Sequence, residues 1–450
     1  MTTLTAEAYQ RRLDAIAAEP RMRDENIRLA GTGAAALSRS LLFIGAAGLA
    51  LTVIGAFVYG LRHALASYLV GAAAVLAPCL GALLFTMVLH LVNAGWATSV
   101  RRQVENLMSM LPLAVGLMLP VLLIETITSG TLYDWMDPEV RATSYLLAKK
   151  SPYLNIAFFL IRALLYIFVW TYLARRLWWY STEQDRTGDR WLTARARWTS
   201  AWGIPVTALT LAFAAFDWLM SLDYEFFSTM WGVYYFAGAF MSCFAIVVLT
   251  LFAVRFVGRL NGLVTEEHFH DIGKLLFGFT VFWAYIAFSQ YFLIWYSNIP
   301  EETRFFLDRK TGGWENLSFV LAAGHFVVPF IYLMPRRIKR TPVLLSLGAC
   351  WVLLMHVLDM VWVVRPTVYV HPMNEAWLEA IHAGAGPEAA QAARDAQAGP
   401  GPSAWWLDVA AIIGVLAVFA GFYIRKVASG PLLPLKDPRL PEAMEHKNYV

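Results

Sequence analysis

Acidic side chains lie inside apolar segments that are long enough to cross a bilayer. Glu125, Asp217 and Asp359 each occupy such a segment, and His356 precedes Asp359 by one helical turn. On insertion scales an aspartate at the centre of a membrane helix costs roughly 2.5–3.5 kcal/mol. Chains that keep several such groups generally move protons or ions, or bind a polar head group.

His356 and Asp359 are spaced i and i+3, so they share one face of a helix. A histidine beside a carboxylate suits proton relay, because imidazole titrates near neutral pH and the carboxylate fixes its orientation. The alternative is a structural hydrogen bond that ties this helix to a neighbouring helix. Both interpretations stay open on the sequence alone.

Other buried polar residues extend this set, each with a structural alternative. Asp217 and Asp223 can form a proton entrance, and hydrated acids at a helix end are the alternative, above all for Asp223. For Glu125 the alternative is a side chain that reaches the membrane interface. A single mid-segment histidine such as His325 is more often a packed, hydrogen-bonded residue than a ligand. The candidates for a proton path are Asp217, Asp223, His325, His356, Asp359 and Glu125.

The composition places these residues in a membrane protein. The 450-residue chain is 58% hydrophobic and 15% charged, whereas soluble proteins are about 25% charged. The cysteines, Cys79, Cys243 and Cys350, stand alone inside apolar segments without metal-site or cluster spacing, which indicates unreactive thiols and no metal site. The net charge of +4 comes from one set of loops. It therefore reflects the orientation of the chain in the membrane and gives no reason to expect nucleic-acid binding.

Ten segments approach the roughly 20 apolar residues that a bilayer requires. They are residues 41–61, 65–92, 107–128, 153–173, 198–220, 230–257, 272–295, 317–333, 342–364 and 406–424. The loops between them alternate between an arginine-rich set and an acidic or mixed set, and we call the two ends of the spans the basic side and the acidic side. Because cytoplasmic loops carry excess Lys and Arg, the basic side and both termini are predicted to be cytoplasmic.

The predicted organisation is all-α and polytopic. A cytoplasmic segment, 1–40, precedes a ten-helix membrane domain, 41–430, and a cytoplasmic tail that looks extended, 431–450. Spans two to five and six to nine have matching directions and lengths, which predicts two four-helix bundles plus two flanking helices. Residues 383–403 are rich in Ala, Gly, Pro and Gln and indicate an external low-complexity loop. Residues 95–106 are predicted to form an amphipathic helix on the cytoplasmic surface.

Several long and unusual strings resemble the F subunit of alternative complex III, which belongs to the polysulfide-reductase/NrfD-type membrane family. The resemblance is strong over spans five to nine, and elsewhere it rests on length and span count. The strings are FDWLMSLD at 216–223, FSTMWGVY at 227–234, GKLLF at 273–277, FWAYIAFSQY at 282–291, IWYSNIPEET at 294–303, GHFVVPF at 324–330, and HVLD at 356–359 followed by Trp362.

The resemblance implies a subunit of a bacterial quinol:electron-acceptor oxidoreductase in the cytoplasmic membrane. The implied partners are a larger related membrane subunit, an iron–sulfur subunit, haem c subunits and small membrane subunits. This chain would itself carry no haem or cluster and would not be catalytic alone. It would scaffold the complex and conduct protons, through Asp217, Asp223, His325, His356 and Asp359, coupled to quinol oxidation in the larger related membrane subunit.

Three rival functions stay open. The chain can bind quinone or menaquinone itself, with His356, Asp359 and Gln290 as contacts and aromatic walls. It can be purely structural. It can also be a stand-alone secondary transporter, which predicts broken helices around a central site.

Overall fold

The computed structural model describes residues 5–397 and 404–448. Every regular element within these residues is a helix, and ten helices are long and apolar enough to cross a membrane. The chain is therefore an all-α, multi-pass membrane protein, as predicted. The ten helices are α1 (Ala34–Tyr59), α2 (Leu61–Leu91), α3 (Leu111–Thr128), α4 (Ile156–Thr187), α5 (Trp191–Trp218), α6 (Trp231–Phe256), α7 (Glu266–Ser297), α8 (Trp314–Leu333), α9 (Pro342–Tyr369) and α10 (Trp405–Ala428).

Several of these helices are longer than the apolar segments that predict them. α1 begins at Ala34 rather than at residue 41, and α4 and α7 have 32 residues each. A helix of that length measures about 48 Å at 1.5 Å per residue, whereas the hydrocarbon layer is about 30 Å thick. The ends of α4 and α7 therefore extend into the head-group regions, where charged residues stay helical although hydropathy does not mark them as part of a span.

The helices form two groups of four, and α2 of the first group lies at the centre of the molecule. α2 packs against α3, α4 and α5 in the first group, and also against α6 and α9 of the second group. Helices α6 to α9 pack on one another, while α1 packs along α10 and this pair flanks α2. The arrangement matches the predicted two bundles plus two flanking helices.

Glycines permit the close approach of these helices. A Cβ atom added at Gly81 of α2 would lie 2.2 Å from the carbonyl oxygen of Ala239 on α6. One added at Gly48 of α1 would lie 2.7 Å from Cα of Gly414 on α10. In lipid, such backbone-to-backbone van der Waals contact stabilises helix pairs, because the solvent supplies no hydrophobic driving force.

The short helix Thr98–Met108 on the basic side corrects one prediction. Every one of its residues is buried, so it is not a surface helix. Arg101 donates to Glu105 at 2.9 Å within the helix and to Asp437 of the C-terminal tail at 2.7 Å. The sequence pattern of this helix resembles that of a helix on the membrane surface. In the structure its polar face instead forms ion pairs and is covered by the C-terminal tail.

The C-terminal tail is consequently part of the folded domain. Leu432, Leu433 and Leu440 are fully buried, and the tail contains a short helix, Leu440–Met444, rather than being extended throughout. In the low-complexity segment 383–403, residues Pro387–Ala396 form a helix, and residues 398–403 lie outside the described residues.

Candidate functional site

A large cavity lies between α6, α7, α8 and α9 towards the acidic side. Its volume is about 610 Å³, within the roughly 300–1,000 Å³ of ligand pockets. Tyr285 and Phe288 line it and are 63% and 65% exposed on the lipid-facing surface of α7, so the cavity opens sideways toward the bilayer. The other aromatic residues of its wall are Trp231, Tyr234, Trp283, Tyr291, Phe306, Phe326 and Trp362.

Asp359 of α9 places a buried carboxylate in this apolar wall. Its Oδ1 accepts a hydrogen bond from the hydroxyl of Tyr234 on α6. The indole of Trp283 on α7 interacts with the same carboxylate, but neither Oδ2 nor the indole N–H makes a hydrogen bond of regular geometry within the described residues. The carboxylate therefore keeps the capacity to accept a further hydrogen bond.

The cavity wall contains four more non-aromatic polar side chains, Gln290, Arg309, Lys310 and Ser318. Gln290 of α7 has a buried Oε1 with no hydrogen-bond partner in the described part of the chain. Arg309, which follows a short helix between α7 and α8, donates to three backbone carbonyls at 2.7 to 3.0 Å, and its guanidinium carbon lies 3.3 Å from the centre of the Phe305 ring. Burial lowers the pKa of Arg309 to about 9, so it remains a cation at neutral pH. Lys310 also lines the cavity and donates to the Tyr291 hydroxyl at 2.9 Å, so two cations and one carboxylate line the same apolar cavity.

An irregular turn in α8 positions His325 behind the cavity wall. Residues Ala322–Val327 form a π-helical turn, a feature that is frequent at functional sites. The carbonyl of Gly324 in this turn accepts a hydrogen bond from the Trp351 indole of α9 at 2.7 Å. The fully buried ring of His325 lies 4.0 Å, centre to centre, from the ring of Trp283.

His356 does not form the expected pair with Asp359. The spacing places both residues on one face of α9, but Asp359 bonds to Tyr234 instead, since that hydroxyl lies on the facing helix. His356 faces the backbone of Ala74 on α2. Within the described residues, neither ring nitrogen of His356 or of His325 makes a regular hydrogen bond. His325 lies against Trp283, which also interacts with Asp359, and His356 lies one turn from Asp359 on α9, so the structure brings His325, His356 and Asp359 to one region.

Asp217 lies in the other bundle, and its carboxylate has a complete set of partners. Its two oxygens accept from Nε and Nη2 of Arg162 on α4 at 2.8 and 2.7 Å. The hydroxyl of Tyr166 donates to it as well, at 2.8 Å. This is the geometry of a buried ion pair that joins α4 to α5.

Glu125 and Asp223 each hold backbone amides of a loop. Glu125 is fully buried and accepts from the N–H groups of Leu132 and Tyr133 at 2.9 and 3.2 Å, so it neither extends to the protein surface nor lines the cavity. Asp223 accepts from the N–H groups of Glu225 and Phe226 at 3.0 and 3.2 Å. Both side chains therefore shape the turns that follow α3 and α5.

Sequence reasoning missed the roles of Tyr234, Arg309 and Arg162. Tyr234 and Arg309 are separated from Asp359 along the chain, and no spacing rule links them. The sequence does contain a signal for the role of Arg162. An arginine and an aspartate at membrane depth in consecutive spans can neutralise each other, which indicates an ion pair between Arg162 and Asp217.

The described residues contain no group of three or more His, Cys, Asp or Glu side chains that could hold a metal ion. No protein-family model matches the chain, and no curated protein matches its sequence.

Proposed function

We propose that the chain is an integral membrane subunit of a quinol:electron-acceptor oxidoreductase and that it binds the quinone ring in the cavity beside Asp359. The single observation that carries the second part is an aromatic cavity that opens toward lipid and contains a carboxylate with a free acceptor position. The resemblance of spans five to nine to the F subunit of alternative complex III supports the first part.

The side chains of the cavity fit both redox forms of a quinone. A planar ring is suited to aromatic walls, which also exclude water. A quinol hydroxyl can donate to Asp359, and a quinone carbonyl can accept from the Arg309 cation. An isoprenoid tail would leave through the opening at Tyr285 and Phe288 into the bilayer.

In this proposal Asp359 takes part in the proton chemistry and the electrons leave the chain. Quinol oxidation releases two electrons and two protons. The Asp359 carboxylate would accept one proton, the second would be released to water at the acidic side, and both electrons would pass to the iron–sulfur and haem c subunits of the complex. A larger related membrane subunit and small membrane subunits complete the assembly, in the bacterial cytoplasmic membrane with the basic side and both termini cytoplasmic.

The direct test is binding of a short-chain menaquinone to the purified full-length protein. Binding is measured through the quenching of tryptophan fluorescence. Asp359→Asn and Gln290→Ala should weaken binding, the former by roughly 10-fold or more because it removes a charge-assisted hydrogen bond. Ser289→Ala is the matched control, since Ser289 neighbours Gln290 on α7 but donates to the Tyr285 carbonyl and does not line the cavity.

Equal quinone affinity in the wild-type protein and in a correctly folded Asp359→Asn variant would refute the quinone site. Weakening by Ser289→Ala as strong as that by Gln290→Ala would also refute it, because it would show a nonspecific effect of changes in α7.

Proton conduction is the second candidate, and the unpaired imidazoles favour it. His325 and His356 lie behind the cavity without regular hydrogen bonds in the described residues, which leaves their nitrogens available to accept or pass a proton. The test is the intact complex carrying Asp359→Asn, with assembly checked by haem content. Persisting quinol oxidation with reduced proton translocation would favour proton conduction, and loss of both in an assembled complex would favour the quinone site.

A further inference from the structure

A second ligand surface lies on α4, in the bundle that does not contain the Asp359 cavity. It is a groove of about 690 Å³ on the lipid-facing side of this helix. Leu164 and Phe168 form its apolar part and are 65% and 67% exposed. Tyr172, Arg175, Arg176 and Trp179 form its polar end. We call this surface the α4 groove.

The arginines of the α4 groove differ from two nearby arginines that have carboxylate partners. Arg102 is paired with Asp185, and Arg186 with Glu183. Arg175 and Arg176 are exposed, and neither has a carboxylate partner among the described residues. Arg176 donates to a neutral hydroxyl, that of Tyr180 at 2.9 Å. Two positive charges thus stand at the end of an apolar groove without a counter-charge from the described protein.

The position of these charges along α4 matches the head-group level. Arg175 follows the start of α4 at Ile156 by 19 residues, or about 29 Å, which is close to the roughly 30 Å of the hydrocarbon layer. Trp179 and Trp198, which are 42% and 71% exposed, lie near this level, as aromatic residues do at membrane interfaces. Leu164 lies about 16 Å before Arg175 along the axis, a distance similar to one leaflet.

We propose that the α4 groove binds one anionic phospholipid. Its phosphate contacts Arg175 and Arg176, and an acyl chain lies along Leu164 and Phe168. Guanidinium groups recognise phosphate oxygens with charge-assisted hydrogen bonds, and basic pockets at this level of membrane proteins are suited to anionic head groups. The proposal is independent of the quinone site, since no residue of the α4 groove lines the Asp359 cavity.

The test is lipid binding to the delipidated full-length protein, counted by native mass spectrometry during titration with phosphatidylglycerol. The double variant Arg175→Gln/Arg176→Gln should bind one phosphatidylglycerol roughly 25-fold more weakly than the wild type, at about 5-fold for each arginine. Arg425→Gln is the matched control, because Arg425 is an exposed arginine at the same side, on α10, outside the groove. It should bind phosphatidylglycerol like the wild type.

Since both substituted arginines are exposed, the double variant should unfold at the wild-type temperature when no lipid is present. Unchanged phosphatidylglycerol binding in that variant would overturn the proposal. Equally tight binding of phosphatidylcholine to the wild type would overturn it too, because the groove would not select negative charge. Displacement of the lipid by an equal concentration of inorganic phosphate would assign the arginines to a free anion instead.

Discussion

Asp217→Asn distinguishes a carboxylate that stabilises the fold from one that carries protons. Asp217 is fully buried and neutralises the Arg162 guanidinium through two hydrogen bonds of 2.7 and 2.8 Å. Asparagine keeps the shape of the side chain but removes its charge. Arg162, whose side chain is only 8% exposed, would then be a buried cation with no carboxylate beside it among the described residues.

The size of the effect follows from the geometry of the pair. Removing one partner of a buried ion pair costs about 3–5 kcal/mol, because the other charge stays buried without compensation. Replacing both partners with apolar residues of similar volume is often neutral. We therefore expect Asp217→Asn, Asp217→Leu and Arg162→Met each to lower the free energy of unfolding by about 3–5 kcal/mol. The double variant Arg162→Met/Asp217→Leu should lie within ~1 kcal/mol of the wild type.

The measurement is reversible unfolding in mixed micelles, monitored by circular dichroism. Strong non-additivity in this double-mutant cycle would identify the pair as a structural link between α4 and α5. The reasoning would be refuted by an Asp217→Asn protein with wild-type stability. If that stable variant also released fewer protons in the intact complex, Asp217 would belong to a proton path.

Three further variants test other parts of the structure. Tyr234→Phe removes the hydrogen bond to the Asp359 carboxylate and should lower the free energy of unfolding by about 1.5–3 kcal/mol, with part of the loss recovered when a quinone is added. Gly81→Ala puts a Cβ 2.2 Å from the backbone carbonyl oxygen of Ala239 on α6 and should cost about 1–3 kcal/mol in unfolding assays, whereas Gly278→Ala, with nothing within 4 Å, should be neutral. Burial raises the pKa of Asp437, but two arginines outweigh this effect and hold the pKa well below its usual range. The stabilisation by the Asp437 carboxylate is therefore present above about pH 4 and is lost as the pH falls through the lowered pKa. Asp437→Asn should therefore increase proteolysis of the tail at pH 5–8, with the difference from the wild type vanishing in strong acid.

The number and order of the membrane helices could be predicted because each span is one continuous apolar segment between charged loops. What hydropathy missed were the polar extensions, such as the first turns of α1 before residue 41. It also misassigned the helix Thr98–Met108, whose alternating polar and apolar faces look the same whether lipid or a protein tail covers them. The covering tail lies more than 300 residues away in sequence, as the Arg101–Asp437 contact shows.

The candidate site could be predicted as a set of residue types but not as a set of partners. Asp217 and Asp359 are both aspartates in apolar helices, and the sequence treats them alike. In the structure one accepts three hydrogen bonds, two of them from an arginine, and the other accepts one from a tyrosine. Pairing depends on which helices face each other, and a helix that is apolar on every face does not reveal this.

The buried carboxylates of the two bundles differ in their hydrogen-bond partners, although His90 on α2 of the first bundle is also an imidazole without a regular hydrogen bond among the described residues. In the first bundle, Glu125 and Asp217 are saturated by backbone amides and by an arginine, so their burial is compensated. In the second, Asp359 and two imidazoles keep unpaired atoms beside a cavity, within the described residues. A buried polar atom without a partner costs about 1–3 kcal/mol, and stability alone does not explain three such groups in one region. A ligand or a proton that uses these atoms does explain them, and this is why we look for function beside Asp359 rather than beside Asp217.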